Sequence, residues 1–507
     1  MRYILVGTWL MAGLSAIGQD QWSFVEPAVD RLIQFTDAQE IGPGYLLTCF
    51  QYSWDLAPNS KASVLRLNVD GTLFGRSALW NDSFSVEACA ILHDPDGERY
   101  HVFGDIQNPG QQWGYYHMGM TADLARSDSV MYRYSDMDLT SMDNACGTAN
   151  GDMIITGGGR TPGNPLFEVL NLVRISSSGD SLTSARIQNP NLIVPRDVIE
   201  LTGDTIMVAC LGTPALPEYL NGFASYLKFA PDLTLLNGFI GVPFDGSLVL
   251  PDRVNSVNDH LNIRQLQSGN FAVSGRAGDL TNGTRGIVQK LSPSGAWQGA
   301  FTPRSEFPYD NPAIYGAMDS TANGEILFAN MANFEPGPPS PFLPTEPNRV
   351  HVYRLDTALN LICTNVIDGF PENAYYWVNR IKITSDGGYL LVGSRVDLDQ
   401  PTIRFDGWAR KFSADECFVG VDEYANGPVA HVFPNPGTIS FSAELNGTVI
   451  GAPQLFLYNT GGRMVRTQPL RFGRATVDAN DLSAGVYFYR IIDEHTRLVA
   501  SGKWMKE

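Results

Sequence analysis

The chain runs to 507 residues and carries 35 Lys and Arg against 53 Asp and Glu, a formal net charge of −18. That excess of acid excludes a phosphate backbone as a partner, because like charges repel; acidity also favours solubility outside a cell, so it names no partner itself. An aromatic content of 11% with 50 Gly and 31 Pro describes many strands and turns rather than a disordered chain.

The first element is an export signal. Arg2 is a minimal basic region, Tyr3 to Leu14 a short apolar stretch, and Ala16-Ile17-Gly18 a small-x-small cleavage site. Together they predict a signal peptide over residues 1–18, with Gln19 as the mature N-terminus. No Cys follows the site, so no lipoprotein anchor is expected. No later apolar run is long enough to span a bilayer, so no transmembrane anchor is expected either.

The next roughly 400 residues, ample for a large core, form a repeat. A strand preceded by a tight turn recurs as Gly44-Tyr45-Leu46-Leu47, Tyr100-His101-Val102-Phe103, Gly151-Asp152-Met153-Ile154, Gly203-Asp204-Thr205-Ile206, Gly269-Asn270-Phe271-Ala272, Gly324-Glu325-Ile326-Leu327 and Gly388-Tyr389-Leu390-Leu391. A following strand recurs as Val64–Leu67, Leu172–Ile175, Tyr226–Phe229, Val288–Leu291, Val352–Leu355 and Ala409–Phe412, with a weaker copy at Tyr116–Gly119. Each copy reads as four short strands that cannot bury both faces alone, so the copies stack around an axis. The period of roughly 50–65 residues predicts a seven-bladed β-propeller over residues 19–417. A six- or eight-bladed ring and tandem sandwiches are the alternatives. Gln21 to Pro27 is placed to add an outer strand to the last blade and close the ring.

The connections differ between the two faces of such a ring. One set is uniformly tight. The other is long, and includes Gln51 to Lys61, Asp105 to Gly114, Gly157 to Leu166, Gly212 to Gly222, Arg276 to Thr284, the Pro-rich Asn330 to Asn348, and Arg395 to Asp406. Long loops on a rigid scaffold are where binding usually sits. These loops and their junctions carry Trp54, Trp113, Tyr115, Tyr116, Tyr219, Phe334, Tyr376 and Trp377, with Tyr309 and Tyr375 beside them. The eight are the candidate ligand-binding residues, able to stack on sugar rings or anchor a protein partner; each can also serve as a loop anchor between blades.

Polar residues open the inner strands: Glu87, Asp143, Asn144, Arg196, Asp197, Asn262, Arg264, Asn379 and Arg380. A water-facing axial channel accounts for them. Glu87 with Asp143 is the one carboxylate pair worth testing for acid–base chemistry. No catalytic set is otherwise legible. The chain has no Gly-x-Ser-x-Gly elbow and no His-Glu-x-x-His, and its seven His lack ligand spacing. Asp94-Pro95-Asp96-Gly97 reads as a turn rather than a calcium loop. No metal or cofactor is therefore expected. Six Cys lack CxxC spacing. Cys49 and Cys210 read as buried thiols, and Cys89 with Cys146, or Cys363 with Cys417, as possible disulfides.

Phe418 to Ala430 reads as a linker, and residues 431–507 as a small C-terminal β-sandwich of short alternating runs punctuated by Pro, Gly and Asn. Four motifs follow in order: Phe433-Pro434-Asn435-Pro436; Leu457-Tyr458-Asn459-Thr460-Gly461-Gly462-Arg463; Leu482-Ser483-Ala484-Gly485-Val486-Tyr487-Phe488-Tyr489; and Ser501-Gly502-Lys503-Trp504-Met505-Lys506. In this order and spacing they resemble the type A C-terminal sorting domain of type IX secretion cargo. The residues that carry the resemblance are Pro434, Asn435, Pro436, Gly461, Gly462, Arg463, Gly485, Tyr487, Gly502 and Lys503. Phe433 stands where the family usually has Tyr, Asn459 where it often has Asp, and Trp504 where it has an aliphatic residue, which bears on the packing of the last strand. The resemblance implies passage through the periplasm and an outer-membrane translocon to the cell surface or medium, with the type IX machinery as partner.

The whole reads as an exported all-β protein whose propeller is a binding platform for a glycan or a surface protein. The alternative is an extracellular polysaccharide-active enzyme working in the axial channel.

Overall fold

A computed structural model of the chain describes residues 21–507 apart from 29–31, 53–59, 81–83, 95–97, 109–111, 138, 164–167, 189–192, 213–222, 243–259, 280–282, 304–306, 308, 322, 335–343, 415–429, 446–452, 460–462, 472 and 493–497. The signal peptide, the body of the linker and the Asp94–Gly97 turn beyond its first residue lie outside the described residues. Two compact units emerge, residues 1–417 and 418–507.

The first unit is a ring of seven antiparallel sheets. Blade 1 runs from its inner strand Leu32–Ile41 outward through Gly44–Tyr52, Lys61–Asn68 and Leu73–Ala78. Blade 2 repeats this with Ser85–His93, Arg99–Gln107, Trp113–Thr121 and Arg126–Tyr132, and blade 3 with Leu139–Gly147, Met153–Arg160, Val169–Ile175 and Ser181–Gln188. Blade 4 is Ile193–Glu200, Ile206–Gly212, Phe223–Phe229 and Leu235–Val242; blade 5 is Asn262–Gln265, Phe271–Asp279, Gly283–Leu291 and Trp297–Phe301. Each inner strand lies beside the inner strand of the next blade, and blade 7 returns to blade 1.

The ring closes with the chain's own start. Blade 7 contributes Ala374–Ile383, Tyr389–Asp397 and Asp406–Phe412, and Trp22–Glu26 supplies its outer strand, antiparallel from Trp22 opposite Lys411 to Glu26 opposite Gly407. Sealing a ring with strands from distant parts of the chain removes an open sheet edge. Trp22 also packs on Tyr45 of blade 1, ring centroids 5.3 Å apart. Its indole crosses the turn at Gly71, where φ is +80° and an added Cβ would sit 2.4 Å from the ring. Only glycine meets both conditions there.

Blade 6 departs from the pattern. Its inner position is split between Asp310–Pro312 and Met318–Ser320, both paired with Ile326–Ala332; Arg349–Leu355 and Leu361–Asp368 complete it. The segment between the two short strands turns to the neighbouring blade instead. Ile314 N donates to Val378 O and Tyr315 N to Asn379 O, at 3.1 and 2.8 Å. Proline lacks a ladder donor, so Pro312 is a natural place for the break. Gly316 lets the Arg380 side chain pass, since a Cβ there would meet Arg380 Cγ at 2.6 Å.

Side chains of the middle strands pack against adjacent blades on both faces. Phe328, Phe103, Leu46 and Ile154, among others, are fully buried. Truncating such a Leu or Ile to Ala costs about 2–5 kcal/mol. Cys49, Cys89, Cys146 and Cys210 are free thiols, which corrects the suggested Cys89–Cys146 bridge. Cys363 is disulfide-bonded, and its suggested partner Cys417 lies outside the described residues.

The second unit pairs a three-stranded sheet, Ala430–Phe433, Ser440–Leu445 and Arg474–Asp478, with a four-stranded one, Met464–Pro469, Gln454–Asn459, Gly485–Ile492 and Leu498–Lys506. Phe441, Leu455, Leu457, Tyr489, Ile491 and Trp504 form its shared core. Eight basic and eight acidic residues fall within 418–507, so the charge of −18 belongs entirely to residues 1–417.

Candidate functional site

The channel wall is built by a bulge repeated in five inner strands. The ladder skips one residue between Phe35 and Asp37, Ala88 and Ala90, Met142 and Asn144, Pro195 and Asp197, and Val378 and Arg380. A bulge re-aims the side chains around it. Those that follow become struts between blades. Asp37 Oδ2 accepts from Ile91 N of blade 2 at 3.0 Å, and Asp197 Oδ2 from Ile263 N of blade 5 at 2.9 Å. Asp319, on the split strand of blade 6, accepts from Ile383 N of blade 7 at 2.9 Å.

Charged pairs complete the struts. Arg380 Nε lies 3.2 Å and Lys382 Nζ 3.5 Å from Asp37 Oδ1. Arg264 donates to Asp197 at 2.9 Å, and Asn144 to the other oxygen of Asp197 at 2.8 Å. The channel is thus cross-braced at this level rather than an open tube.

The long-loop side of blades 2 and 3 is different. Met142 N donates to both oxygens of Asp105, at 2.8 and 3.0 Å, and Cys89 Sγ to Met142 O at 3.5 Å. These bonds set Asp143, the residue skipped by the bulge, beside Glu87 and Asp105. Asp143 Oδ1 accepts from Arg196 at 2.9 Å, and the Gly158 amide also favours its carboxylate. Glu87 has no ion pair among the described residues. Burial pushes its carboxyl up to about 7. Burial, opposed by Arg196, pushes Asp143 up to about 6. Asp105 is raised well above the carboxylate range by burial and by the Glu87 charge. The Tyr116 hydroxyl is enclosed without a partner in the core between blades 1 and 2, on the other face of the sheet, and Tyr315 of blade 6 feels the charges of Glu87 and Asp143. Among the described residues no group of three or more His, Cys, Asp or Glu is arranged to hold a metal.

Of the candidate aromatics, Tyr115, Tyr116, Phe334 and Tyr376 are buried. Tyr115 donates to Gly158 O at 3.1 Å and Tyr376 to Glu372 at 3.1 Å, so both brace loops. Trp113 and Trp377 are half-buried, and Trp54 and Tyr219 lie outside the described residues. Sequence reasoning passed over a better exposed pair. Phe307 and Phe370 sit on successive inter-blade connections of the long-loop face. Their rings stack at 5.9 Å and 11°, and Phe370 is 40% exposed. The Arg349 guanidinium lies 5.0 Å from the Phe370 centroid and pairs with Asp368 at 3.2 Å. Nothing local signals the pair, because its members belong to different repeats.

In the second unit the first and last motifs are one structure. Trp504 Nε1 donates to Pro434 O, and Met505 N to Asn435 Oδ1, each at 2.9 Å; Asn435 Nδ2 donates to Lys503 O at 3.0 Å. Trp504 is fully buried against Phe441, ring centroids 4.5 Å apart, so the departure from an aliphatic residue places an aromatic anchor in the core. Gly502 lies under the Tyr489 ring, where a Cβ would sit 2.6 Å from the hydroxyl oxygen. Tyr487 donates to Ser483 O at 2.8 Å across the turn that Gly485 ends with φ +148°. Pro434, Asn435, Pro436, Arg463 and Lys503 are exposed, and Gly461 and Gly462 lie outside the described residues.

Residues 431–506 match the family described as the secretion system C-terminal sorting domain. No curated protein matches the chain. Among solved structures, a polysaccharide lyase, an ulvan lyase bound to -[GlcA(1-4)Rha3S]-, is 9% identical, with a TM-score of 0.50 over 78% of this chain and 96% of its own. The polysaccharide lyase Uly1 is 9% identical, with a TM-score of 0.47 over 75% and 90%. The β-propeller domain of the Trilobed protease from Pyrococcus furiosus is 9% identical, with a TM-score of 0.40 over 74% and 97%. At these identities the likeness is one of fold. The chain is type IX secretion cargo, exported to the cell surface or extracellular space by its C-terminal domain. Among the described residues no helix is long and apolar enough to cross a membrane.

Proposed function

We propose that the exported propeller is a recognition platform whose ligand, a glycan, is captured on the long-loop face. On this reading residues 1–18 direct entry to the periplasm, 19–417 form the binding module, 418–430 are the linker and 431–507 are the export domain.

The observation that carries the reading is the Phe307–Phe370 stack, partly open to solvent between blades 5, 6 and 7. A flat aromatic surface offers a sugar ring an apolar face, and the Arg349 guanidinium and Asp368 carboxylate beside it offer hydrogen bonds to hydroxyls. Half-buried Trp377, packed on Phe334 at 5.2 Å, extends aromatic surface on the same face. A glycan array probed with the exported protein and with its Phe370→Ala variant tests this. Capture by the parent that drops at least tenfold in the variant supports it; a protein that captures no glycan overturns it.

A second reading, an enzyme acting on polysaccharide in the channel, is favoured by one observation. Half-buried Glu87 and buried Asp143 have carboxyls raised to about 7 and about 6, near neutral pH, as proton donors and acceptors in catalysis usually are. Turnover of chromogenic glycosides or of uronate polymers that vanishes in Glu87→Gln would select it.

A further inference from the structure

The two outer faces of the C-terminal sandwich differ in chemistry. On the three-stranded sheet, Ser440, Ser442, Glu444 and Thr476 alternate with the buried residues Phe441, Ala443, Ala475 and Val477. The polar residues on this outer face satisfy one another. Glu444 pairs with Arg474 at 2.9 Å, and Ser442 shares a 3.2 Å hydrogen bond with Thr476. Phe433 lies under the Arg474 guanidinium, 5.8 Å from its ring centroid. This is the apolar-in, polar-out alternation of a sheet with one solvated face.

The four-stranded sheet breaks that alternation. Leu455, Leu457, Tyr487, Tyr489 and Ile491 fill the core, yet residues between them are apolar as well. One rung crosses all four strands as Met464, Tyr458, Phe488 and Lys503. The rung on one side pairs Val486 with Met505, and the rung on the other sets Phe456 opposite Arg490. Met464, Val486, Phe488 and Met505 are 38–52% exposed, and Phe456 and Tyr458 are half-buried. A strand that is apolar on both faces is ordinarily covered on both, and a contiguous apolar patch left open marks an interaction site.

The charge on this face has one sign. Arg490 and Lys503 are exposed on it, and exposed Arg463 sits in the turn at the end of the Met464 rung. The strand residues of the face include no carboxylate. The unit as a whole balances eight bases against eight acids, so the asymmetry belongs to the face.

We propose that this sheet face is the surface by which the export machinery holds the domain, docking on a protein strip that is apolar at its centre and carries carboxylates at its margin. The unit's role is export through the type IX machinery, so it must offer that machinery a surface. Aromatic residues, Met and Arg are enriched where protein partners bury one another, and this face combines them. A second copy of the chain fits worse, because packing the face on itself would set bases against bases. A lipid surface fits worse too. Side chains flush with a flat sheet do not reach the depth of about 5–10 Å at which interfacial elements bury their apolar face.

The test is secretion of the full chain by a cell that carries the type IX machinery, scored as protein in the medium against protein in the periplasm. Phe488→Ser with Val486→Thr removes the centre of the patch and touches no core side chain. The secreted fraction should fall roughly tenfold or more, while residues 431–507 resist proteolysis as they do in the parent. Arg490→Glu with Lys503→Glu should act likewise. Ser442→Ala with Thr476→Ala, on the opposite face, should leave secretion unchanged. Normal secretion of the Phe488→Ser, Val486→Thr protein overturns the proposal, as does an equal fall in the opposite-face variant with its domain intact. Deletion of residues 431–507 is run alongside. If the deletion is retained while the face variant is secreted, the export role stands and the face assignment fails. Flotation of the purified full chain with phosphatidylglycerol vesicles is the last arm. Vesicle binding that Phe488→Ser abolishes would assign the face to a lipid surface and overturn the proposal.

Discussion

Arg380 of the last blade reaches across the channel to Asn144 of the third, Nη2 to Oδ1 at 3.2 Å, while its Nε stays 3.2 Å from Asp37 of the first. One side chain thus ties three blades. Replacing it by Met should leave Asp37, 1% exposed, with backbone amides and, among the described residues, Lys382 at 3.5 Å as its remaining ion-pair partner. Breaking a buried pair from one side costs about 3–5 kcal/mol. Urea unfolding of Arg380→Met should show a loss of that order, partly recovered in Arg380→Met with Asp37→Asn. A loss under about 1 kcal/mol would mean that the brace is solvated and weak.

The closing strand gives a second prediction. Gly71→Ala adds a Cβ to a left-handed turn already filled by the Trp22 indole. The backbone strain alone costs about 1–2 kcal/mol, and displacing the indole also weakens the docking of Trp22–Glu26. A clear fall in the propeller's melting temperature is expected, with faster proteolysis of the first strand. Unchanged stability would show that the strand is held by its ladder alone.

Two sets of buried groups predict opposite pH effects. His101 and His117 share a 2.8 Å hydrogen bond inside blade 2, and burial pulls His117 down to about 4. A depressed histidine is neutral in the fold, so its contribution is present above the unfolded value near 6.5 and is lost as pH falls through the window from 6.5 to 4. His117→Asn should flatten that acid limb. Glu87 is the reverse case, raised from 4.5 to about 7. It is tolerated while protonated and costs stability as pH rises through that window. Glu87→Gln should therefore stabilise the protein at pH 8 by about 2–3 kcal/mol and change little at pH 4. Equal effects at both pH values would contradict the raised carboxyl.

The C-terminal motifs separate into packing residues and surface residues. Gly502→Val would drive a side chain into the Tyr489 ring, and Trp504→Ala would empty the core between Phe441 and Tyr487. Both should unfold the sorting domain and leave the protein in the periplasm. Lys503→Ala changes an exposed side chain and should stay within about 0.5 kcal/mol of the parent. Export that fails in Lys503→Ala with a folded domain would assign that side chain to recognition by the machinery. Normal secretion after deletion of residues 431–507 would contradict the export role.

Much of the fold was legible because propeller blades repeat their turn chemistry. Gly151, Gly203, Gly269 and Gly324 all adopt positive φ in equivalent turns, and the periodicity they mark gave the blade count and the closing strand. The break in blade 6 was not legible, since Pro312 and Gly316 acquire their meaning only from Arg380 on the next blade. Tyr115 and Tyr116 looked like surface aromatics because their strand begins at a loop. Yet Trp113–Thr121 is a third strand covered on both faces by neighbouring blades, so alternation offers no exposed side. The missed Phe307–Phe370 stack, and the link between Asn435 and the last strand, are long-range pairings that no local pattern encodes.

The central claim is that the propeller captures a ligand at the Phe307–Phe370 surface without transforming it. Equilibrium binding of the exported protein to a glycan recovered from an array, with product analysis of the same mixture, tests it most directly. The account predicts saturable binding, unaltered glycan, and loss of binding in a Phe307→Ala, Phe370→Ala variant whose melting temperature is within a few degrees of the parent. Cleaved glycan, or binding unchanged in that variant, would contradict it.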